Sequence, residues 1–508
     1  MYVIDWATKG AANYPDKTAL VDLASGRRHS YRQFNARASR FALYLRDAWG
    51  IRPGDRVAVL AGNSSDYFEM LYGCAKLGAV MVCLNWRLSA RENLAVLDDA
   101  QPRALVFSTE FTAVGQELRA HRTIEQAMSQ GGPLEGLPEY EAALAAAPGD
   151  ALEMPCRSMD EVWYLLYTSG TTGQPKGVLQ TYGMAHFNGV NAMHAAKLSR
   201  DDVLLAVLPF FHTGGLNLYA NPLLQCGGTV VVMKQFDPLR TIELLQQDIT
   251  VMFGVPAIYL FLAQQPSFAA ADFSGVRSWA CGGAPIPKSL LEQYLAKGVT
   301  ICFGFGMTET GPTVFLTDEE TARSKIGTVG RPVTYMLTKV VDVATRQALG
   351  PKERGELLIK GPGVTPGYWN NTAATAKAFE DGWLCSGDIA YFDEDGDYYV
   401  VDRAKDMYIS GGENVYPAEV ENVLFQMPQI AEAAVIGIAD PRWGEVGKAI
   451  IALKPGNALD EGTVVAWCRE RLAGYKVPRQ VLFLEALPRN AAGKVEKPRL
   501  RALYGGSA

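Results

Sequence analysis

The chain has 508 residues, of which 48% are hydrophobic and 20% charged, and its formal net charge is -6. This length exceeds the usual size of one hydrophobic core, so we expect several folding units, and the composition excludes an intrinsically disordered protein. The mild negative charge argues against nucleic acid as the main partner.

The cysteines and the N-terminal residues bear on the cellular compartment. The eight cysteines form no C-x-x-C pair, which argues against a zinc site or a disulfide framework. The opening residues, MYVIDWATKG, lack the basic end and the apolar core of a signal peptide, and no apolar run reaches the ~18 residues of a membrane span. We therefore expect a cytoplasmic protein without a transmembrane segment. The sequence is also compatible with a homodimer.

In chain order, short apolar runs first alternate with helical patterns. Between Thr18 and about Val106, runs such as RVAVLAG alternate with patterns such as YFEMLYGCAKLGAVMV, and the alternation returns after Val178. Such alternation favours parallel sheets covered by helices. From about Gly327, short runs around glycine and proline predict antiparallel strands that form a small barrel-like part. The fold class predicted for this large N-terminal part is therefore α/β.

After VVDRAKD the pattern restarts as a compact α+β unit. A helix is predicted from Pro417, followed by strands at AAVIGI and KAIIAL, a helix at EGTVVAWCRERLA and a strand at QVLFLE. We place the domains at 1–402 and 403–508, with a hinge near Lys405. A basic cluster close to the end is predicted to be a solvated terminal helix, with the exception of Lys494; its members are Arg489, Lys494, Lys497, Arg499 and Arg501.

The stretch YTSGTTGQPKGV, from Tyr167 to Val178, has the composition of an anion-binding loop. Its hydroxyls and backbone N–H groups donate hydrogen bonds to anionic oxygens, its glycines permit close approach, and Lys176 adds a positive charge. It is not the common nucleotide loop, because Pro175 stands where that motif requires its second glycine. The apolar run VWYLLY directly before it argues against a flexible linker.

Six motifs in a fixed order resemble those of the adenylate-forming superfamily, in its acyl-CoA synthetase and aryl-CoA ligase branch. They are YTSGTTGQPKGV, LPFFHTGG, FGFGMTETG, CSGD, VVDRAKD and PRNAAGKV. The resemblance implies an ATP-dependent acid–CoA ligase with ATP, Mg²⁺ and coenzyme A as ligands. A carboxylic acid and ATP give an acyl-adenylate and pyrophosphate, and the thiol of coenzyme A then gives acyl-CoA and AMP. The small C-terminal domain would be mobile and would rotate between the two half-reactions.

The resemblance also assigns residues to the first half-reaction. Glu309 is the expected Mg²⁺ ligand, beside Thr308 on a phosphate oxygen. Lys494 would bridge the carboxylate and the α-phosphate, and His212 would orient the acid. The expected nucleotide contacts are Thr168, Ser169, Gly170, Thr171, Thr172, Gly173 and Lys176 for pyrophosphate, the backbone of Gly282, Gly283 and Ala284, Phe305 for adenine, and Asp388 and Arg403 for ribose.

Four further residues carry the prediction of coenzyme A. By resemblance, Gly411 and Gly412 would line a thiol tunnel, Trp443 would stack on the coenzyme adenine, and Arg87 would meet its phosphate. Three stretches, SGGENVYPAEVE, DPRWGE and GYKVPR, resemble acyl-CoA ligases more than they resemble luciferase.

The acid itself is less well specified. Residues near His212 suggest an apolar pocket in which glycines leave room, although the same residues suit a core; they are Phe210, Leu216, Phe303, Gly304, Met307 and Val314. We expect a medium or long fatty acid, with an aryl or arylpropenoic acid as the alternative. A dicarboxylic acid would require an arginine that the sequence does not supply there.

Two other classes of function remain as alternatives. An amino-acid adenylation enzyme is disfavoured because LNLYANPLLQC, after the HTGG motif, contains no aspartate to hold a substrate amine. A nucleotide-binding pseudoenzyme is disfavoured because the charged residues of the motifs are intact; these are Lys176, Glu309, Asp388, Arg403 and Lys494.

Overall fold

A computed structural model describes residues 1–149, 151–152, 157–169, 175–284, 286–403, 406–411, 413–489 and 494–505. Several predicted site residues lie outside this description: Gly170, Thr171, Thr172, Gly173 and Gly412, together with the side chains of Ser169 and Arg403. The predicted hinge residue Lys405 lies outside it as well.

Strands and helices alternate along the N-terminal part. In chain order the first elements are β1 (Tyr2–Val3), α1 (Trp6–Asn13), β2 (Thr18–Asp22), β3 (Arg28–Ser30), α2 (Tyr31–Asp47), β4 (Arg56–Leu60), α3 (Ser65–Leu77), β5 (Val80–Cys83), α4 (Ala90–Ala100), β6 (Ala104–Ser108), α5 (Thr112–Arg119), β7 (Gln126–Gln130), α6 (Tyr140–Ala146), β8 (Arg157–Ser158), β9 (Val162–Ser169) and β10 (Pro175–Thr181).

The alternation continues through the second half of this part. The elements are α7 (Tyr182–Ala195), β11 (Val203–Ala206), α8 (Thr213–Leu216), α9 (Ala220–Cys226), β12 (Thr229–Val232), α10 (Pro238–Leu245), β13 (Val251–Gly254), α11 (Pro256–Ala263), β14 (Ser278–Cys281), α12 (Lys288–Leu295), β15 (Ile301–Gly306), β16 (Thr313–Leu316) and α13 (Glu319–Ser324).

Apart from β1 and β8, which form a separate antiparallel pair, these strands build two sheets that are parallel inside and have an antiparallel pair at one or both edges. One sheet has the order β10-β9-β5-β4-β6-β7, and only its β9/β10 pair is antiparallel. The other has the order β16-β15-β14-β13-β11-β12-β2-β3, with antiparallel pairs at its two ends. The interior of both sheets is parallel, as predicted. The antiparallel edges were not predicted.

Helix α3 lies in the core shared by the two sheets. Every one of its residues is buried, and one cluster of buried side chains joins it to β4 and β5 of one sheet and to β2, β12 and β13 of the other. The expectation of a single helical pattern through YFEMLYGCAKLGAVMV was wrong for its last five residues. Gly78, with φ +77°, ends the helix in the left-handed conformation, and the chain continues as β5.

An antiparallel sheet and a final α+β unit follow. Their elements are β17 (Leu337–Val341), β18 (Gly355–Lys360), α14 (Thr372–Ala378), β19 (Phe379–Glu380), β20 (Trp383–Phe392) and β21 (Tyr398–Arg403), then β22 (Tyr408–Ser410), β23 (Glu413–Val415), α15 (Pro417–Leu424), β24 (Ile430–Asp440), β25 (Gly444–Leu453), α16 (Glu461–Arg469), β26 (Gln480–Leu484) and α17 (Lys497–Tyr504). The first sheet is entirely antiparallel, whereas the second adds β26 parallel to β25. The predicted fold class is confirmed.

Contacts of Arg354 connect the final unit to the rest of the chain. The Arg354 guanidinium, before β18, lies 2.6 Å from a Glu419 carboxylate oxygen on α15, whose other oxygen lies 2.5 Å from Lys476 Nζ. Arg354 also lies over the ring of Tyr416, 5.2 Å from its centroid. These contacts hold the final unit against the antiparallel sheet.

An aspartate-rich turn between β20 and β21 surrounds a lysine. The Lys325 ammonium lies 2.8 Å from Asp393, 2.6 Å from Asp395 and 2.6 Å from Asp397. These hydrogen bonds raise the pKa of Lys325, so the lysine remains charged.

Throughout the described ranges, each helix is too short or too polar to span a bilayer.

The basic residues near the end are less solvated than predicted. Lys497, on α17, is mostly buried and pairs with Glu421 at 2.9 Å, and Arg489 pairs with Glu432 at 2.8 Å. Of the cluster, Arg499 does lie in solvent, with 64% of its side chain exposed. The prediction failed for Lys497 because its partner on α15 is distant in sequence.

Candidate active site

The anion-binding loop connects two paired strands at a sheet edge. Strands β9 and β10 run antiparallel, with Thr168 opposite Lys176 and Ser169 opposite Pro175. This register brings the two ends of the loop together and places Thr168 and Lys176 side by side. The Lys176 ammonium lies over the ring of Tyr368, 5.2 Å from its centroid.

Thr308 and Glu309 form a short turn after β15. Both residues are buried. The Gln180 side-chain amide donates to the carbonyl of Thr308 at 2.9 Å, and the backbone N–H of Thr365 donates to the carbonyl of Glu309 at 2.8 Å. The Tyr368 hydroxyl donates to Glu309 Oε1 at 2.9 Å. The backbone and the carboxylate of Glu309 are therefore fixed separately.

The chemistry of Glu309 fits a hard divalent cation. Among the described residues this buried carboxylate has no cationic partner. A buried charge without a partner is costly, and carboxylate oxygens are the ligands that Mg²⁺ prefers. With the hydroxyl of Thr308 next to it, Glu309 can hold a metal–phosphate group.

The carboxyl ends of three neighbouring parallel strands meet beside this turn. Strand β14 pairs with β13 and β15, and Gly282 and Gly283 follow it directly. A Cβ at Gly282 would lie 2.9 Å from the Gly304 carbonyl oxygen, so glycine allows the two backbones to approach closely. Gly283 has φ +84° and is exposed, which leaves its backbone accessible to a ligand, next to the half-buried Ala284.

Phe305 lies on β15 beside these glycines. It is partly exposed and lies 6.1 Å, centroid to centroid, from Phe315, which is buried. One part of the Phe305 ring packs on the core and the remainder faces outward. This placement is compatible with the predicted stacking on adenine.

His212 caps the short helix α8. Its Nδ1 accepts a hydrogen bond from the backbone N–H of Gly214 at 3.1 Å, so the neutral ring carries its proton on Nε2. Burial and, to a smaller extent, the positive charge of Lys494 lower the pKa of His212 to about 4. Because no other described group shifts this pKa, Lys494 is the charged neighbour of the ring.

We expect the activity to be insensitive to titration of His212 across the neutral range. With a pKa of about 4, the ring is neutral above about pH 6 and gains a proton, repelling Lys494, only in acid. The ratio of kcat/KM between wild type and H212N, measured for the acid substrate, should be constant from about pH 6 to pH 8. The expectation would be contradicted if kcat/KM of the wild type changed with pH around the ordinary pKa of histidine and this change were absent from H212N.

Lys494 is placed at the same site although it lies in the final unit. The position of a Cβ at Gly283 is 3.8 Å from Lys494 Cε and 3.7 Å from Val255 Cγ1. Together with its effect on His212, this distance brings Lys494, His212 and Gly283 into one small region. In the sequence, Lys494 lies more than 200 residues after both His212 and Gly283.

The predicted ribose contacts lie on neighbouring strands. Asp388 on β20 is buried and stands opposite Arg403 on β21 in the register of the antiparallel pair. The backbone N–H of Asp388 donates to Ser386 Oγ at 3.0 Å. The strand register therefore brings the backbones of the aspartate and the arginine together.

The residues predicted to bind coenzyme A lie in two separate environments. Trp443 lies against Gly411, where a Cβ would be 2.7 Å from the indole and where φ is +62°. Arg87 instead lies over the ring of Trp86, 4.5 Å from its centroid, and burial lowers its pKa. The structure also places the guanidinium of Arg479, the last residue of the GYKVPR stretch, 6.0 Å from the Trp443 ring centroid.

A buried polar network around Asn217 was also missed. Its side-chain amide donates to Gln180 Oε1 at 3.4 Å and to Thr213 Oγ1 at 3.2 Å, while Tyr164 donates to Asn217 Oδ1 at 2.6 Å. Because Gln180 also holds Thr308, the network joins the segment of His212 to the turn of Glu309. A buried Asn, Gln and Tyr in apolar surroundings is a signal that sequence periodicity alone does not resolve.

Comparison with known proteins identifies the family to which this chain belongs. The profile described as AMP-binding enzyme matches residues 7–369, and that described as AMP-binding enzyme C-terminal domain matches residues 419–494. The chain belongs to the AMP-binding enzyme family. It is an AMP-forming acid–CoA ligase, as its relatives are. The suspected resemblance to the adenylate-forming superfamily is confirmed.

The relatives of this AMP-binding enzyme act on different acids. It is 40% identical to a feruloyl-CoA synthase from Amycolatopsis sp over 98% of both chains, and 37% identical to the long-chain-fatty-acid–CoA ligase FadD13 from Mycobacterium tuberculosis over 99% of this chain and 98% of the relative. Among solved structures it resembles o-succinylbenzoate CoA synthetase from Bacillus subtilis in complex with an acyl-adenylate, with 31% identity, a TM-score of 0.89 and full coverage of both chains. Use of ATP and coenzyme A follows from the family.

Proposed function

We propose that the protein activates a compact aryl or arylpropenoic monocarboxylic acid. The observation that carries the choice of a compact acid is the close packing around Gly304. The restriction to one carboxylate is supported by the charges near His212, since Lys494 is the charged group among the described residues that shifts the pKa of this histidine. A second carboxylate on the substrate would require a further cation there, and a substrate amine would require an anion.

The packing of the glycines supports a compact acid. A Cβ at Gly304 would lie 2.7 Å from the Phe315 carbonyl oxygen, so this glycine permits close backbone packing and does not open a channel. Phe210, Leu216 and Val314, which the sequence suggested as pocket residues, are buried in the core. Phe303 and Met307 remain partly exposed and available to a ligand.

In the first half-reaction, an oxygen of the acid attacks the α-phosphorus of ATP, and the bond from that phosphorus to the pyrophosphate oxygen breaks. The Nε2–H of His212 and the ammonium of Lys494 would hold the carboxylate against the phosphate. Lys176 and the loop would offset the charge of the departing pyrophosphate. A Mg²⁺ ion bound through Glu309 would neutralise further phosphate charge.

In the second half-reaction, the thiol sulfur of coenzyme A attacks the acyl carbon, the bond from that carbon to AMP breaks, and the thiol proton passes to solvent. The chain would divide into an N-terminal domain, residues 1–402, and a mobile C-terminal domain, residues 403–508, with a hinge near Lys405. Rotation of the C-terminal domain would remove Lys494 and bring Gly411 and Trp443 towards the acyl-adenylate.

The test is AMP release with ATP, Mg²⁺ and coenzyme A over a panel of acids: ferulic, cinnamic, benzoic, 2-succinylbenzoic, and the linear acids from hexanoic to palmitic. We expect kcat/KM for the best aryl acid to exceed that for every linear acid by about tenfold, equivalent to about 1.4 kcal/mol, because a compact pocket would bury the whole ring but only part of a long chain.

The opposite ranking would favour the second candidate, a medium or long fatty acid, which the relative from Mycobacterium tuberculosis supports. Comparable turnover of 2-succinylbenzoate would contradict the argument from charge. Omission of coenzyme A serves as the control, because AMP then stays in the acyl-adenylate: little AMP should form, and pyrophosphate release should stop after a single turnover.

A further inference from the structure

A tyrosine outside the six motifs contacts two charged groups of the proposed nucleotide site. The hydroxyl of Tyr368 donates to Glu309 Oε1 at 2.9 Å, and the centroid of its ring lies 5.2 Å from Lys176 Nζ. The first of these residues is the proposed metal ligand and the second the proposed pyrophosphate contact. Tyr368 thus lies between an anion and a cation that serve the same ligand.

The backbone around Tyr368 is held on strand β10, which carries Lys176. The N–H of Trp369 donates to the Gly177 carbonyl at 2.7 Å, and the N–H of Leu179 donates to the Gly367 carbonyl at 3.2 Å. The N–H of Tyr368 donates to Thr375 Oγ1 at 3.0 Å. The position of the ring is therefore fixed relative to the lysine by main-chain hydrogen bonds.

The same segment is attached to the turn of Glu309. The N–H of Thr365 donates to the Glu309 carbonyl at 2.8 Å, and Thr365 Oγ1 donates to the Leu179 carbonyl at 2.8 Å. The Tyr368 hydroxyl is the donor in its hydrogen bond to Glu309 Oε1. An ionised carboxylate only accepts hydrogen bonds, so this bond occupies Oε1 and leaves Oε2 for another ligand.

We infer that Tyr368 is a positioning residue, which orients Glu309 for a divalent metal and keeps Lys176 from neutralising it. Without the ring, a flexible lysine beside a buried carboxylate would gain by forming an ion pair. The structure gives Glu309 no such pair among the described residues. The ring attracts the ammonium to its face and the hydroxyl binds the carboxylate, so both charges remain available to a metal–nucleotide complex.

This inference rests on the proposed function of Glu309 and can be tested by binding, independently of turnover. Electron paramagnetic resonance would measure Mn²⁺ binding to the full chain in the presence of a non-hydrolysable ATP analogue. For Y368F we expect an increase of about tenfold in the Kd of Mn²⁺, the effect of losing a hydrogen bond to a charged acceptor, with little change in the Kd of the metal-free analogue. Y368L, which also lacks the ring, should weaken both.

The matched control is Y140F. Tyr140 also donates to a buried glutamate, Glu69 Oε2, at 3.0 Å, but it lies in the helical core away from the loop. We expect Y140F to lower the thermal stability and to bind Mn²⁺ like the wild type. Equal Mn²⁺ binding by wild type and Y368F would overturn the inference and leave the ligase function intact.

Two further outcomes separate the inference from the proposed site. If the wild type binds no Mn²⁺ with the nucleotide, the metal role of Glu309 fails and the inference fails with it. If Y368F does not fold, T375V replaces it, because it removes the acceptor of the Tyr368 N–H. Weaker Mn²⁺ binding by T375V supports the inference, and wild-type binding overturns it.

Discussion

Replacing Lys494 by alanine is expected to slow formation of the acyl-adenylate by about 10²–10³-fold, the usual effect of removing one group that stabilises transition-state charge. Lys494 is near Gly283 and lowers the pKa of His212, so its ammonium acts within the region where acid and ATP would meet. Pyrophosphate exchange into ATP measures this half-reaction alone.

The second half-reaction should respond differently to the same substitution. When chemically prepared acyl-adenylate is supplied, K494A should transfer the acyl group to coenzyme A within about threefold of the wild-type rate, because the rotated domain would no longer place Lys494 at the acyl group. R499A is a suitable control, since Arg499 lies nearby in sequence and its side chain is largely exposed. Equal losses in both half-reactions for K494A would contradict the assignment to adenylation.

Replacing Glu309 by glutamine is expected to reduce overall turnover by about 10²–10³-fold, since the metal–phosphate group loses its anionic ligand. The glutamine retains an oxygen that accepts the Tyr368 hydroxyl, so the thermal stability should change little. Titration of activity with Mg²⁺ should show a higher half-saturating concentration for the variant.

E320Q is the matched control for this prediction. Glu320 is an exposed residue in the first turn of α13, and the change removes the same charge at the surface. Its turnover and Mg²⁺ dependence should equal those of the wild type. Wild-type Mg²⁺ dependence of E309Q would mean that the carboxylate does not serve the metal.

The sequence predicted the parts of the fold that depend on local patterns of apolar and turn residues. The parallel interior of both large sheets and the antiparallel later sheet follow from alternation and turn residues. The β9/β10 hairpin was not predicted, because its direction depends on pairing across the loop. The true end of α3 depends on the left-handed conformation of Gly78, which a continuous apolar pattern conceals.

The site was predictable where motifs name residues and not where contacts join distant segments. His212 and Lys494 were selected from two motifs and Gly283 from the resemblance to the family, and the structure brings the three together. Tyr368 and Asn217 were not selected, because their significance lies in partners more than 30 residues away. The role of Gly304 also required the fold, since only packing shows whether a glycine opens space or closes it.

The lysine within the aspartate turn determines how experiments with chelators are interpreted. Asp393, Asp395 and Asp397 are the one group of three potential metal-ligating side chains that converges within the described residues. Lys325 already supplies their counter-charge from within the chain. Part of the charge that a calcium ion would neutralise is therefore already paired within the chain, and we expect EDTA to act on this enzyme through the nucleotide site and not through this turn.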